Sequence, residues 1–136
     1  MTVFVCVSDG GGMTFAGRRV SRDARVIDDI TALSSEGELF ISQYSSKLFP
    51  EGTPNITIVK SPLDSAEHGE FVFAENFPLA PYADKISRLI IYHWNRRYPF
   101  DTRLDLSPRE LGMKLFETDE FQGKSHDRIT REIWVR

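Results

Sequence analysis

Val3–Val7 is an unbroken apolar run of β-branched and aromatic side chains, the pattern of a strand buried on both faces of a sheet. It stops at Ser8-Asp9-Gly10-Gly11-Gly12-Met13, where three adjacent glycines predict a mobile loop. Ser21 has the chemistry of an N-cap, and Val26, Ile27, Ile30 and Leu33 then recur at helical spacing, predicting a helix to about Leu33 closed by Glu36-Gly37. Short strands follow at Leu39–Ile41, Asn55–Val59 and Glu70–Ala74, with polar sequence at Ser42–Ser46, a loop at Pro50–Pro54 and a turn or short helix before Glu70. Pro78 and Pro81 exclude a regular helix across residues 77–81, leaving at most one helical turn at Tyr82–Ile86. Arg88–Trp94 is a strong strand, and Met113–Phe116 and Ile129–Val135 predict an antiparallel hairpin with a long connection through Gly123. Strands that first alternate with helical segments and then run on alone specify an α/β fold, a mostly parallel sheet with an antiparallel edge.

The chain has 136 residues without repeats, which predicts one domain over residues 1–136. Cys6 is the single cysteine, so neither a disulfide framework nor a cysteine-based zinc site is available. With 17 basic and 20 acidic residues the net charge is −3, which gives no reason to expect nucleic acid or an anionic membrane as partner. The longest apolar runs are far short of the ~20 residues that span a bilayer. Met1–Val5 lacks the basic n-region of a secretory leader, and a soluble cytoplasmic protein is expected.

Asp23 is the most informative polar position. It shares the helix face of Val26, Ile27 and Ile30 and lies in the first turn, where a carboxylate is favoured by the helix dipole. Two readings fit: an acid bonded to a free backbone N–H, or a carboxylate at the inner end of a pocket, where burial raises its pKa and lets it exchange a proton. Arg18, Arg19, Arg22 and Arg25 form a basic cluster, either a solvated face or an anion clamp. The Gly10–Gly12 run matches no phosphate loop. His68, His93 and His126 show no metal-binding spacing, so no metal is expected. Ser125-His126 is no triad by sequence adjacency alone, and His126 is expected to be a loop residue. Cys6 in a buried strand should act as a small hydrophobe, and Trp94 and Trp134 as core or pocket wall.

Val5-Cys6-Val7-Ser8-Asp9-Gly10-Gly11, Asp23 at the head of the first helix, and Arg88-Leu89-Ile90-Ile91-Tyr92-His93-Trp94 followed by Asp101-Thr102 together resemble the dihydrofolate reductase family. The resemblance covers that family's first strand and active-site loop, its catalytic acid, and its late strand with an Asp-Thr pair. Residues 116–121 and 129–136 resemble its last two strands. It implies a single-domain reductase-like fold with Asp23 as the catalytic acid. It also implies a substrate pocket walled by Cys6, Ile27, Tyr92 and Trp94, with Arg18 or Arg19 as anion clamp and Tyr44 and Lys47 nearby.

Departures concentrate in the half where that family holds NADPH. Its Gly-Gly pair is replaced by Glu75-Asn76, followed by Pro78 and Pro81 in place of a helix. The helix N-terminus that would hold a pyrophosphate is thereby removed, and Glu75 adds a repelling charge. Its Gly-Arg-Lys-Thr falls on Ser42-Gln43-Tyr44-Ser45, which keeps only the Ser45 hydroxyl as a cofactor contact, and Arg18-Arg19-Val20 stands where it has Leu-Pro-Trp. The leading expectation is a divergent, cofactor-free relative that binds a small molecule around Asp23. The alternatives are an NADPH-dependent reductase and a non-catalytic interaction protein that presents Arg18, Arg19, Arg22, Tyr44, Lys47, Arg96 and Arg97 to an acidic protein partner.

Overall fold

The apolar N-terminal run forms strand β1 (Thr2–Val7), at the heart of the sheet in the computed structural model, which describes residues 1–136. It pairs in parallel with β6 (Phe71–Phe73) on one side and β7 (Arg88–His93) on the other. β4 (Leu39–Ile41) and β5 (Ile56–Ile58) extend the sheet beyond β6, also in parallel. Beyond β7 the direction reverses: β10 (Ile129–Val135) runs antiparallel to β7, and β9 (Lys114–Phe121) pairs antiparallel with β10 at the edge. The result is a seven-stranded mixed sheet of order β5-β4-β6-β1-β7-β10-β9, mostly parallel, ending in the expected C-terminal hairpin.

The sheet is buried on both faces, as the unbroken apolar character of β1 and β7 requires. Val3, Val5, Val7, Leu89 and Ile91 point into one core with Leu63, Ile86 and Trp134. Phe4, Ile90 and Tyr92 point into the other with Val26, Ile27 and Ile30 of helix α1 (Ala24–Leu33). Each of these three helical side chains contributes about 1.5–3 kcal/mol of burial, so α1 is held chiefly by its apolar stripe. Short helices α2 (Gln43–Ser46) and α3 (Pro62–Ser65) and a 3-10 helix over Ala80–Lys85 complete the layers. The 3-10 form is what Pro81 allows, since a proline is tolerated only in the first turn. No helix is long and apolar enough to cross a membrane.

Three expectations need correction. The glycine run is not a free loop: Gly10 and Gly11 make a turn with positive φ, and Gly12 enters strand β2 (Gly12–Phe15). A Cβ at Gly12 would collide with the Phe100 ring. β2 pairs with β3 (Arg18–Arg19) and β8 (Thr102–Arg103) in a small second sheet that carries no alternation to announce it. The turn between β2 and β3 is Ala16-Gly17, both with positive φ, the geometry a tight two-residue hairpin demands. The helix starts later than Ser21, because its N-cap is Asp23, whose carboxylate accepts the Arg25 N–H at 2.8 Å. β9 runs to Phe121, five residues beyond Phe116, its polar residues facing solvent along the sheet edge.

Candidate functional site

The carboxyl ends of β1, β4, β6 and β7 converge on one side of the sheet, where open α/β folds place their ligands. The segments leaving those ends carry Glu75, Trp94 and the Ser42–Ser46 turn, and the head of α1 brings Asp23 among them. Asp23 is almost completely buried, at 3% exposure. Besides the Arg25 N–H, its carboxylate accepts the Lys124 N–H at 2.9 Å, the Ser125 N–H at 2.9 Å and the Ser125 hydroxyl at 3.2 Å. His126 Nδ1 lies 2.9 Å from Oδ2. The approach depends on Gly123, where an added Cβ would overlap the carboxylate.

Burial pushes the Asp23 pKa up, but the hydrogen bonds from Lys124, His126, Ser125 and Arg25 outweigh it and hold the carboxyl well below the usual carboxylate range. Of the two readings of Asp23, these bonds favour the acid bonded to free backbone N–H groups over the raised pKa, and its carboxyl stays ionised. An ionised carboxylate only accepts, so His126 donates from Nδ1, and in the neutral ring Nε2 then carries the lone pair. The Ser21 hydroxyl lies 2.9 Å and the Tyr98 hydroxyl 3.2 Å from that lone pair, and the two hydroxyls are 3.3 Å apart. Trp94 stacks on the imidazole with ring centroids 4.6 Å apart. His126 does lie in the loop between β9 and β10, as expected, but it is buried and forms the centre of the site.

Over Ser21, Tyr98 and His126 opens a cleft of about 520 Å³, rimmed by Arg18, Arg19, Arg22, Tyr44 and Ser125. Arg18 and Arg22 are exposed and take part in no ion pair. Arg19 is committed elsewhere. Its guanidinium binds Glu75 through Nε at 2.7 Å and Nη2 at 2.9 Å, and lies over the Tyr44 ring at 4.1 Å. Of the two candidate clamp residues, only Arg18 is free. The Ser45 hydroxyl donates to Glu75 at 2.7 Å, so the one hydroxyl expected to face a cofactor is used internally. Glu75, expected only as a repelling charge, is the hub that joins β3, α2 and the end of β6.

The predicted pocket walls divide. Cys6, Asp23, Ile27 and Trp94 do meet, with Phe73 and Glu75, but around a void of about 10 Å³, room for little more than a water. Burial pushes the Cys6 thiol up, and the Glu75 and Asp23 carboxylates add to the shift, so it stays a protonated hydrophobe. Tyr92 is no pocket wall: it is fully buried in the core, and its hydroxyl donates to Asp29 at 2.6 Å. Lys47 lines a second depression of about 320 Å³ with Asp23, Ile27 and Lys124, next to the main cleft and sharing Arg22 and Ser125 with it. Arg96 and Arg97 are exposed beyond β7 and line neither hollow. No group of side chains has the composition of a metal site.

Ser21, Tyr98 and His126 carry the floor of the cleft, and none was predicted there. The pairing of His126 with Asp23 spans 103 residues, and no local pattern encodes it. No protein-family model matches the chain, and comparison with curated proteins finds no match either.

Proposed function

We propose that the protein binds a small anionic molecule in the cleft over His126, on a dihydrofolate reductase-like scaffold that works without a nicotinamide cofactor. The observation that carries this reading is the pairing of a roomy cleft with two uncommitted guanidinium groups, Arg18 and Arg22, on its rim. Its volume of about 520 Å³ lies within the range of small-molecule sites, and bidentate N–H donors suit a carboxylate or a phosphate. Tyr98, Tyr44 and Ser21 add hydroxyls for orientation.

Support for the scaffold comes from the parallel sheet closed by an antiparallel hairpin and from the acid at the head of the first helix. The ligand sits one layer outside the pocket that the resemblance implies, because the Gly123–His126 turn fills the space next to Asp23. Glu75, bonded to both Arg19 and Ser45, favours the cofactor-free reading: a carboxylate stands where a pyrophosphate would need donors.

Isothermal titration with succinate and with inorganic phosphate tests the reading. Binding is expected to weaken with salt, as for any site governed by exposed charge. Arg22→Gln is expected to weaken it about tenfold, the loss of one charge-assisted hydrogen bond. Absence of binding by either anion at low salt, or equal affinity in Arg18→Gln and Arg22→Gln, rejects it. Titration with NADPH provides the contrast, with no heat expected.

A further inference from the structure

Ser21, His126 and Asp23 stand in the order of a nucleophile, a base and the acid that orients the base. We propose that they form a hydrolytic relay acting on esters of small anionic acids, an inference that rests on the anion-binding reading of the same cleft. Ser21 Oγ is 2.9 Å from His126 Nε2, and His126 Nδ1 is 2.9 Å from Asp23 Oδ2. The side chains of His126 and Asp23 are 2% and 0% exposed, whereas Ser21 faces the cleft. A triad is recognised by this geometry, not by chain order or fold.

Each partner is fixed before a substrate arrives. The backbone N–H groups of Arg25, Lys124 and Ser125 lock the carboxylate, which sets the imidazole tautomer with its free lone pair toward Ser21. Trp94 holds the ring plane. The imidazole is buried, and it meets the cleft through hydroxyls on its side away from Asp23. Here the far side ends on two hydroxyls at the floor of an open cleft.

The atoms balance without a further reactant other than water. Ser21 Oγ bonds to the ester carbonyl carbon as its proton passes to His126 Nε2. The tetrahedral intermediate collapses, the carbon–alkoxy bond breaks, and Nε2 returns that proton to the departing alcohol. Water then gives a proton to Nε2 and its oxygen to the acyl carbon. The acyl–Oγ bond breaks, and Ser21 recovers its hydrogen. Tyr98, whose hydroxyl is 3.3 Å from Ser21 Oγ, offers a donor to the developing oxyanion, and Arg18 and Arg22 select an acyl group that bears a negative charge. Asp23 touches no substrate and acts as a positioning residue.

The test is hydrolysis of 4-nitrophenyl hemisuccinate against 4-nitrophenyl acetate, with intact-mass analysis after phenylmethylsulfonyl fluoride. The wild type is expected to prefer the hemisuccinate and to gain one sulfonyl group on Ser21. Ser21→Ala, its fold checked by circular dichroism, is expected to cut turnover about 100-fold or more and abolish labelling. His126→Gln should do the same, with circular dichroism reporting that it is folded. Asp23→Asn is expected to move the acid limb of the pH–rate profile to lower pH, because the imidazolium loses its counter-charge. Turnover or labelling undiminished in Ser21→Ala overturns the relay. So does an inert wild type that still binds succinate, a result that leaves the anion cleft standing. An inert wild type that binds no anion overturns both.

Discussion

Helix α1 has one buried aspartate at its N-cap and another in its middle, and their surroundings are opposite in kind. Asp23, at the cap, is met by backbone N–H groups, a hydroxyl and an imidazole, all supplied by short-range dipoles or a group that can take up a proton. Asp29, one face along, is met by the Tyr92 hydroxyl at 2.6 Å and by Arg131 Nη1 at 3.0 and 2.9 Å. Arg131 reaches on to Glu117 at 2.7 Å, clamping the helix to the C-terminal hairpin. Its Nε is buried without a partner, the mark of a contact that serves rigidity at some cost. A full cation leaves Asp29 nothing to offer a ligand. Dipoles leave the Asp23 charge to act through His126 on the open cleft. The lesson is that burial of a carboxylate says little about its role until its partners are known.

That contrast can be broken experimentally. The largest loss is expected from Arg131→Met, which leaves the buried Asp29 carboxylate with only the Tyr92 hydroxyl and the Arg25 guanidinium at 3.7 Å. About 3–5 kcal/mol of stability should go, well over 10 °C in melting temperature, with succinate affinity unchanged in the remaining folded protein. Asp23→Asn should cost less, about 2–3 kcal/mol, since part of its hydrogen bonding survives. It should also flatten the acid side of the stability profile. The folded carboxyl has a depressed pKa, so as pH falls below about 4 the unfolded chain binds the proton first and stability drops. In the asparagine variant that slope shrinks, as urea titrations between pH 6 and pH 2 would record. Gly123→Ala should cost about 1–3 kcal/mol by pushing the turn away from Asp23, while leaving the Asp29 clamp intact. The smallest effect on stability is expected from Glu75→Gln, about 1 kcal/mol, and it should tighten succinate binding by releasing Arg19 into the cleft. Unchanged affinity there would show that Arg19 stays bound to Tyr44.

The sheet was legible because burial on both faces leaves an unmistakable trace: Val3–Val7 and Leu89–Tyr92 are apolar without interruption. The small second sheet was not, since Arg18-Arg19 and Thr102-Arg103 are held by a tight turn and by long-range pairing rather than by a pattern. Asp23 could be singled out from helix periodicity, but Ser21 and Asp23 are equally good caps by chemistry. Only the Arg25 N–H decides between them. The same competition hid the role of Ser21. Its hydroxyl, freed from capping, is available to His126. The charge of Glu75 is visible in the sequence, but the guanidinium that neutralises it lies 56 residues away.

The bonds between Asp23 and residues 124–126 close a loop of 101 to 103 residues. Such a closure carries a heavy entropic cost and is not offset until the strands between have docked. The cap bond to Arg25 is local, but the rest of the Asp23 surroundings waits for a segment made 101 to 103 residues later. During synthesis the parallel strands and α1 can gather early, whereas the cleft floor is assembled only once β10 has settled between β7 and β9. The contacts that orient His126 are thus absent from the growing polypeptide until that segment has docked.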